Sequence, residues 1–171
     1  MANSTSISEF KEKVVKAICK DETLFYAIDT NDCENGGDLI NTHIFKYNKN
    51  PETITETITF LTIMVHTKAK GKDGTFVTPT LEIWIYSHVD HMKMDYKITK
   101  DNRNDYISML LDDKFNGSTE YGGIGKLRLV SNTEGTFGNK FLYRRLIFEA
   151  VDISDSFCNK ELLIIGKIYS W

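Results

Sequence analysis

With 171 residues, 26% of them charged and 41% hydrophobic, the chain suits one domain with a self-sufficient core, and its composition excludes disordered and membrane-embedded classes. A formal net charge of −3 gives no general electrostatic reason to bind nucleic acid. The three cysteines, Cys19, Cys33 and Cys158, are odd in number and widely spaced, which argues against a disulfide framework or a CxxC site and for a reducing cytoplasm during synthesis.

Residues 1–8 lack the basic and apolar stretches of a signal peptide, and no apolar run reaches bilayer length, so no membrane role is expected. Ile7, Phe10, Val14 and Ile18 recur at helical spacing, and Ser6 with Glu9 forms a capping box; the spacing predicts an amphipathic helix over 7–19. Residues 29–41 are turn-formers, among them Asn35, Gly36, Gly37 and Asp38, and 43–47 read as a short strand before the break at Asn48 to Pro51. Residues 53–67 are β-branched or apolar on both faces and predict a long central strand. A turn over 68–74 and Pro79 at the mouth of a strand over 80–87 complete a hairpin.

After a turn over 89–100, Asp101 and Asn102 can cap a helix whose Tyr106, Ile107, Leu110 and Leu111 share a face up to Phe115, with Asn116-Gly117 as its stop. Gly122, Gly123 and Gly125 then open a strand over 126–131 with Leu127 and Leu129 inward. A turn over 133–139 precedes a strand over 141–151, and a last apolar segment over 159–171 ends in Tyr169 and Trp171. No repeat or linker composition divides the chain, so residues 1–171 read as a single domain. Runs of strands joined by hairpin-like turns, without strand–helix alternation, predict an α+β fold: a mainly antiparallel sheet with an N-terminal and a mid-chain helix packed on it.

Candidate chemistry is sparse. His88 and His91, with Asp90 and Asp95 near, form the only short-spaced cluster of ligand-type side chains, and His43 or His66 would have to join them through the fold to make a metal site. A polar turn is the commoner meaning of such spacing. Residues 122–126 fail as a phosphate loop, because Glu120 stands where a glycine is needed and Leu127 where Ser or Thr would hold magnesium. The acidic pairs Asp112/Asp113 and Asp152/Asp155 have no companion nucleophile or base and read as solvated charge. The sequence therefore predicts no catalytic residue, no cofactor and no metal. Arg128, Arg144 and Arg145, with Lys126 and Lys140, form the one basic concentration; without a helix–turn–helix, zinc-finger or RNP-like pattern they read as an interface rim, and no sequence-specific nucleic-acid binding is expected.

Aromatic residues on the second strand faces are in surplus for a monomer, and amphipathic aromatics are favoured where protein surfaces meet. Trp84, Tyr86, His88, Arg128, Tyr143, Arg144, Arg145 and Trp171 are the interface candidates. The runs LEIWIYSHVDHM, NRNDYISMLLDDKFNG, GKLRLVSN and YRRLIFEAVDI together resemble small proteins of the head-to-tail gene modules of tailed phages and prophages, most of all the tail-terminator or tail-completion family, over residues 5–155. The resemblance implies a non-enzymatic virion subunit, made in the host cytoplasm, that closes a homo-oligomeric, often hexameric ring and meets tail-tube and neck or connector proteins. A different neck or tail subunit, such as a connector or stopper, is the alternative; a His/Asp metal-dependent enzyme and a monomeric regulatory binding module are the rival classes.

Overall fold

The computed structural model describes residues 4–28, 33–70, 76–121 and 125–151. Among these residues, three α-helices lie with a five-stranded sheet in an α+β arrangement. The elements are α1 (Ser4–Cys19), α2 (Glu22–Ile28), β1 (Ile44–Phe45), β2 (Thr59–Lys70), β3 (Phe76–His88), α3 (Arg103–Phe115), β4 (Lys126–Phe137) and β5 (Phe141–Val151), with single 3-10 turns at Gly36–Leu39, Pro51–Thr53 and Val89–His91. The strand order is β1-β2-β3-β5-β4. All neighbours are antiparallel except β1 on β2, so β3, and not the strand before it, is central.

Several predicted boundaries move, each for a local reason. The first helix begins at Ser4, which places Ser6 inside it instead of at its cap. The strand expected from residue 53 begins at Thr59, because Pro51–Thr53 forms a 3-10 turn in which the Asn50 side chain accepts the Glu52 N–H at 3.1 Å. That strand runs on to Lys70, into the first three residues of the expected turn, and its partner starts at Phe76, so Pro79 lies within β3, opposite Thr67. It is accommodated where the β3–β5 ladder has already stopped at Thr80 and a missing N–H removes no bond on that side. β4 continues through the turn expected at 133–139 to Phe137, and the reversal falls at residues 138–140, where Gly138 has φ +58°. The strand over 141–151 stands as expected.

The core lies between the three helices and one sheet face. Val14, Val15 and Ile18 of α1, Leu24 and Ile28 of α2, and Ile107, Leu111 and Phe115 of α3 are buried against Leu61 and Ile63, Leu81, Ile83 and Ile85, Leu127, and Leu146 and Phe148. Each such side chain contributes about 1.5–3 kcal/mol by leaving water. α3 is capped by Asn102, whose side chain accepts the Asp105 N–H at 2.9 Å, and Gly117 beyond its end has φ +82°. Tyr106 and Leu110 are half-buried at the margin of its packed face, which also includes Arg103, Asn104 and Ser108.

Those polar groups are satisfied inside the fold. Asn104 accepts the Ser87 hydroxyl at 2.7 Å and donates to the Leu142 carbonyl at 3.1 Å, while the Thr59 hydroxyl lies 2.7 Å from that of Ser87 and 3.0 Å from His91 Nδ1. Arg103 donates to the carbonyls of Ala27 (2.6 Å) and His91 (2.7 Å), tying the C-terminal turn of α2 and the 89–93 segment to the start of α3.

Candidate functional site

Strand periodicity puts Phe60, Thr62, Met64 and His66 of β2, Glu82, Trp84 and Tyr86 of β3, and Phe141, Tyr143, Arg145 and Ile147 of β5 on the sheet face away from the helices. Phe45, Ile54, Phe60, Tyr86 and Phe141 are buried there as a second apolar cluster. Phe60 stacks on Tyr86 with ring centroids 5.0 Å apart and meets Phe45 and Phe141 edge-on. The chain covers this end of the face with Phe45 and Ile54, from the segment leading into β2, so Tyr86 is only 3% exposed.

Beyond that cover lies an open groove of about 670 Å³, lined among others by Met64, His66, Glu82, Trp84, Phe137 and Tyr143. Trp84 and Tyr143 are half-buried. Trp84 stacks parallel to Tyr86 at 5.7 Å, packs on Tyr143 at 4.9 Å, and carries the Arg145 guanidinium above its ring at 5.1 Å. Beneath sits Glu82, whose side chain is 9% exposed. Its Oε1 accepts from Arg145 Nε and Trp84 Nε1, both at 2.6 Å, and Oε2 faces His66 Nε2 at 2.9 Å.

Burial alone would raise the Glu82 carboxyl pKa, but the hydrogen bonds from Arg145 and Trp84, with the charges of Arg145 and His66, outweigh it and hold the group below its ordinary value. The Tyr86 hydroxyl is pushed up to about 12 by burial first, then by Tyr143 and Glu82. This middle of the face is thus a charged, hydrogen-bonded patch roofed by aromatic rings.

The other sequence candidates disperse. Arg144 points to the helix face, paired with Asp105 of α3, with Glu134 at 2.7 Å and with Asn132 at 3.0 Å, so it fastens α3 to the sheet edge. Arg128 is exposed on the edge strand β4, opposite Glu149. His88 accepts the Asp90 N–H at 3.2 Å and sets its ring edge-on to Phe141, on the groove side, whereas His91 reaches Thr59 on the helix side. His66 pairs with Glu82, and His43 lies 3.8 Å from the Cys33 sulfur. The four histidines therefore occupy four separate settings, and among the described residues no group of three His, Cys, Asp or Glu side chains could hold a metal ion. Asp112 is half-buried and Asp113 exposed at the end of α3. Trp171, the segment over 159–171, Asp152, Asp155 and residues 122–124 lie outside the described residues.

Glu82, the residue that organises the patch, is absent from the sequence-level candidates. The available signal was a lone carboxylate in an otherwise apolar strand, since such a group is seldom buried without a partner. No helix among the described residues is long and apolar enough to cross a membrane. A family model described as YomW matches residues 12–150, a span holding every described strand and helix except the first turns of α1 and the last residue of β5. No curated protein and no solved structure matches the chain.

Proposed function

The chain belongs to the YomW family, a phage-derived family named after a Bacillus prophage gene, and from that premise we propose that it is a structural subunit of the phage particle, a tail-terminator-like ring component at the head-to-tail junction. The observation that carries the reading is the middle of the second sheet face, left open among the described residues: Trp84 and Tyr143, half-buried, above the Glu82–Arg145 pair. An aromatic and arginine centre with polar groups satisfied beneath it is the composition that protein interfaces favour. In a ring each copy would present this face to a different surface of its neighbour, a heterologous contact that closes on itself. The exposed Arg128 on β4 would stand at the rim of such a contact. The reading assigns the chain no catalytic step, cofactor or metal; its work is assembly with tail-tube and neck proteins.

Electron microscopy and light scattering of the protein, alone and mixed with tail tubes, test it. Rings seated on tube ends, lost in the double variant Trp84→Ala, Tyr143→Ala while the circular-dichroism spectrum is kept, are the expected result. A protein that remains monomeric and leaves tube ends bare refutes the terminator role; binding to the connector instead transfers the same face to a stopper.

A further inference from the structure

The aromatic groove reaches the outer strand of the sheet: Thr136 and Phe137 of β4 line it beside Trp84 and Tyr143. Among the described residues β4 has one strand partner, β5. The first half of its outer edge is sealed. Gly117 N–H donates to the Leu127 carbonyl at 2.8 Å, Leu127 N–H to the Ser118 carbonyl at 3.0 Å and Leu129 N–H to Asn116 Oδ1 at 3.0 Å, after which a bulge falls between Leu129 and Ser131. From Val130 to Phe137 no described strand lies alongside, so alternate backbone N–H and C=O groups face away from β5 with none beside them. Natural edges are kept from pairing by lysine, proline or a bulge. Beyond its bulge this half has neither lysine nor proline; its one charge, Glu134, is paired with Arg144 at 2.7 Å, and Val130 is 48% exposed.

We infer that the occupant of this open edge, and of the groove beside it, is the C-terminal segment 159–171 of a neighbouring copy, added to the sheet as an antiparallel strand. The inference rests on the ring reading of this face and names the part of the neighbour that meets it. Leu162 to Ile165, Ile168, Tyr169 and Trp171 are the aliphatic and aromatic types that suit a half-buried strand. Extended, the segment spans about 40 Å and the open edge about 25 Å, so it covers the edge with residues to spare. Alternate side chains of an added strand turn to the groove side, while its main chain takes up the edge hydrogen bonds. Lys160 and Lys167 outweigh Glu161 in the segment, and the exposed Glu52 on the groove wall offers the opposite charge. Topology assigns the segment to a neighbour. Val151 lies opposite Lys126, at the sealed end of β4, so a segment returning along its own sheet would have to pass residues 116–118 and run parallel to β4, the weaker pairing. A neighbour's segment can enter at the Phe137 end and run antiparallel.

Photo-cross-linking of the full chain tests the inference. Benzoylphenylalanine replaces Thr136, an exposed residue of the open edge, and is photolysed in rings assembled from an equal mixture of light- and heavy-isotope chains. Cross-links to peptides within 159–171 are expected, with mixed-isotope pairs as frequent as same-isotope pairs. Same-isotope pairs alone would put the segment on its own chain and overturn the inference, as would cross-links confined to other segments. Leu163→Asp with Ile164→Asp, adjacent residues that an extended chain turns to opposite sides, should abolish rings while the circular-dichroism spectrum is kept. Val130→Lys, at an exposed position, should do the same from the edge side. Rings that persist in either variant overturn the inference and leave the ring reading standing; a wild-type chain that forms no rings on tube ends removes both.

Discussion

Removing Arg145 is the sharpest perturbation of the aromatic face. In Arg145→Ala, Glu82 keeps the Trp84 indole N–H and His66 but loses its strongest donor, while its carboxylate stays buried. A hydrogen bond to a charged group is worth about 1.5–3 kcal/mol. Arg145 is 37% exposed, so solvent screening sets the loss toward the lower end, to which its position over Trp84 adds about 0.5 kcal/mol. The expected destabilisation at pH 7 is about 2 kcal/mol, a fall in Tm of about 4–8 °C for a chain of this size.

The pH dependence carries a sign. In the wild type the folded-state pKa of Glu82 lies below the unfolded one, so its contribution is present above the unfolded value and disappears as pH falls through the folded value. Without Arg145 the raising effect of burial is left with less to oppose it, and protonation relieves the variant as pH drops. The penalty should therefore shrink between pH 7 and pH 4. Urea denaturation at both pH values, in a cycle with Glu82→Gln, measures the penalty and the coupling. A loss under about 0.5 kcal/mol at pH 7, well below the charged hydrogen-bond range, a coupling of zero, or a penalty that grows on acidification would refute the account.

Arg103→Lys should destabilise by about 3 kcal/mol in urea melts, because one ammonium cannot reproduce the fork that reaches both the Ala27 and His91 carbonyls from a buried site. Two glycine substitutions should separate in thermal denaturation. Gly36→Ala sets a Cβ 1.7 Å from the Cys19 carbonyl oxygen, where backbone must shift, and is expected to cost about 3 kcal/mol or more; Gly135→Ala meets Tyr143 Oη at 2.7 Å, a movable side-chain end, and should cost about 1 kcal/mol while changing the fluorescence of the adjoining Trp84. Equal losses at the two glycines would show that the close approach to Cys19 is not the governing contact.

What the sequence determined by itself is whatever local periodicity and local capping encode. The 3.6-residue spacing of Phe10, Val14 and Ile18 and the Asn102 cap with its Asn116-Gly117 stop specify α1 and α3 before any tertiary contact forms, and the two-residue alternation around Trp84 and Tyr143 sets which side chains share a strand face. Even α2 had a local signal, since Asp21 accepts the N–H groups of Thr23 and Leu24 at its start, though seven residues make too short a pattern to stand out. Tertiary structure alone decided the rest. Strand ends at Lys70 and Phe137 depend on the partner across the ladder, which overrode the turn-forming residues near them. The burial of Tyr86 depends on Phe45 and Ile54, distant in sequence, and the pairing of Glu82 depends on Arg145, 63 residues away. An isolated carboxylate in a strand states that it needs a partner, but only the sheet register, a product of all the strands at once, brings that partner to it.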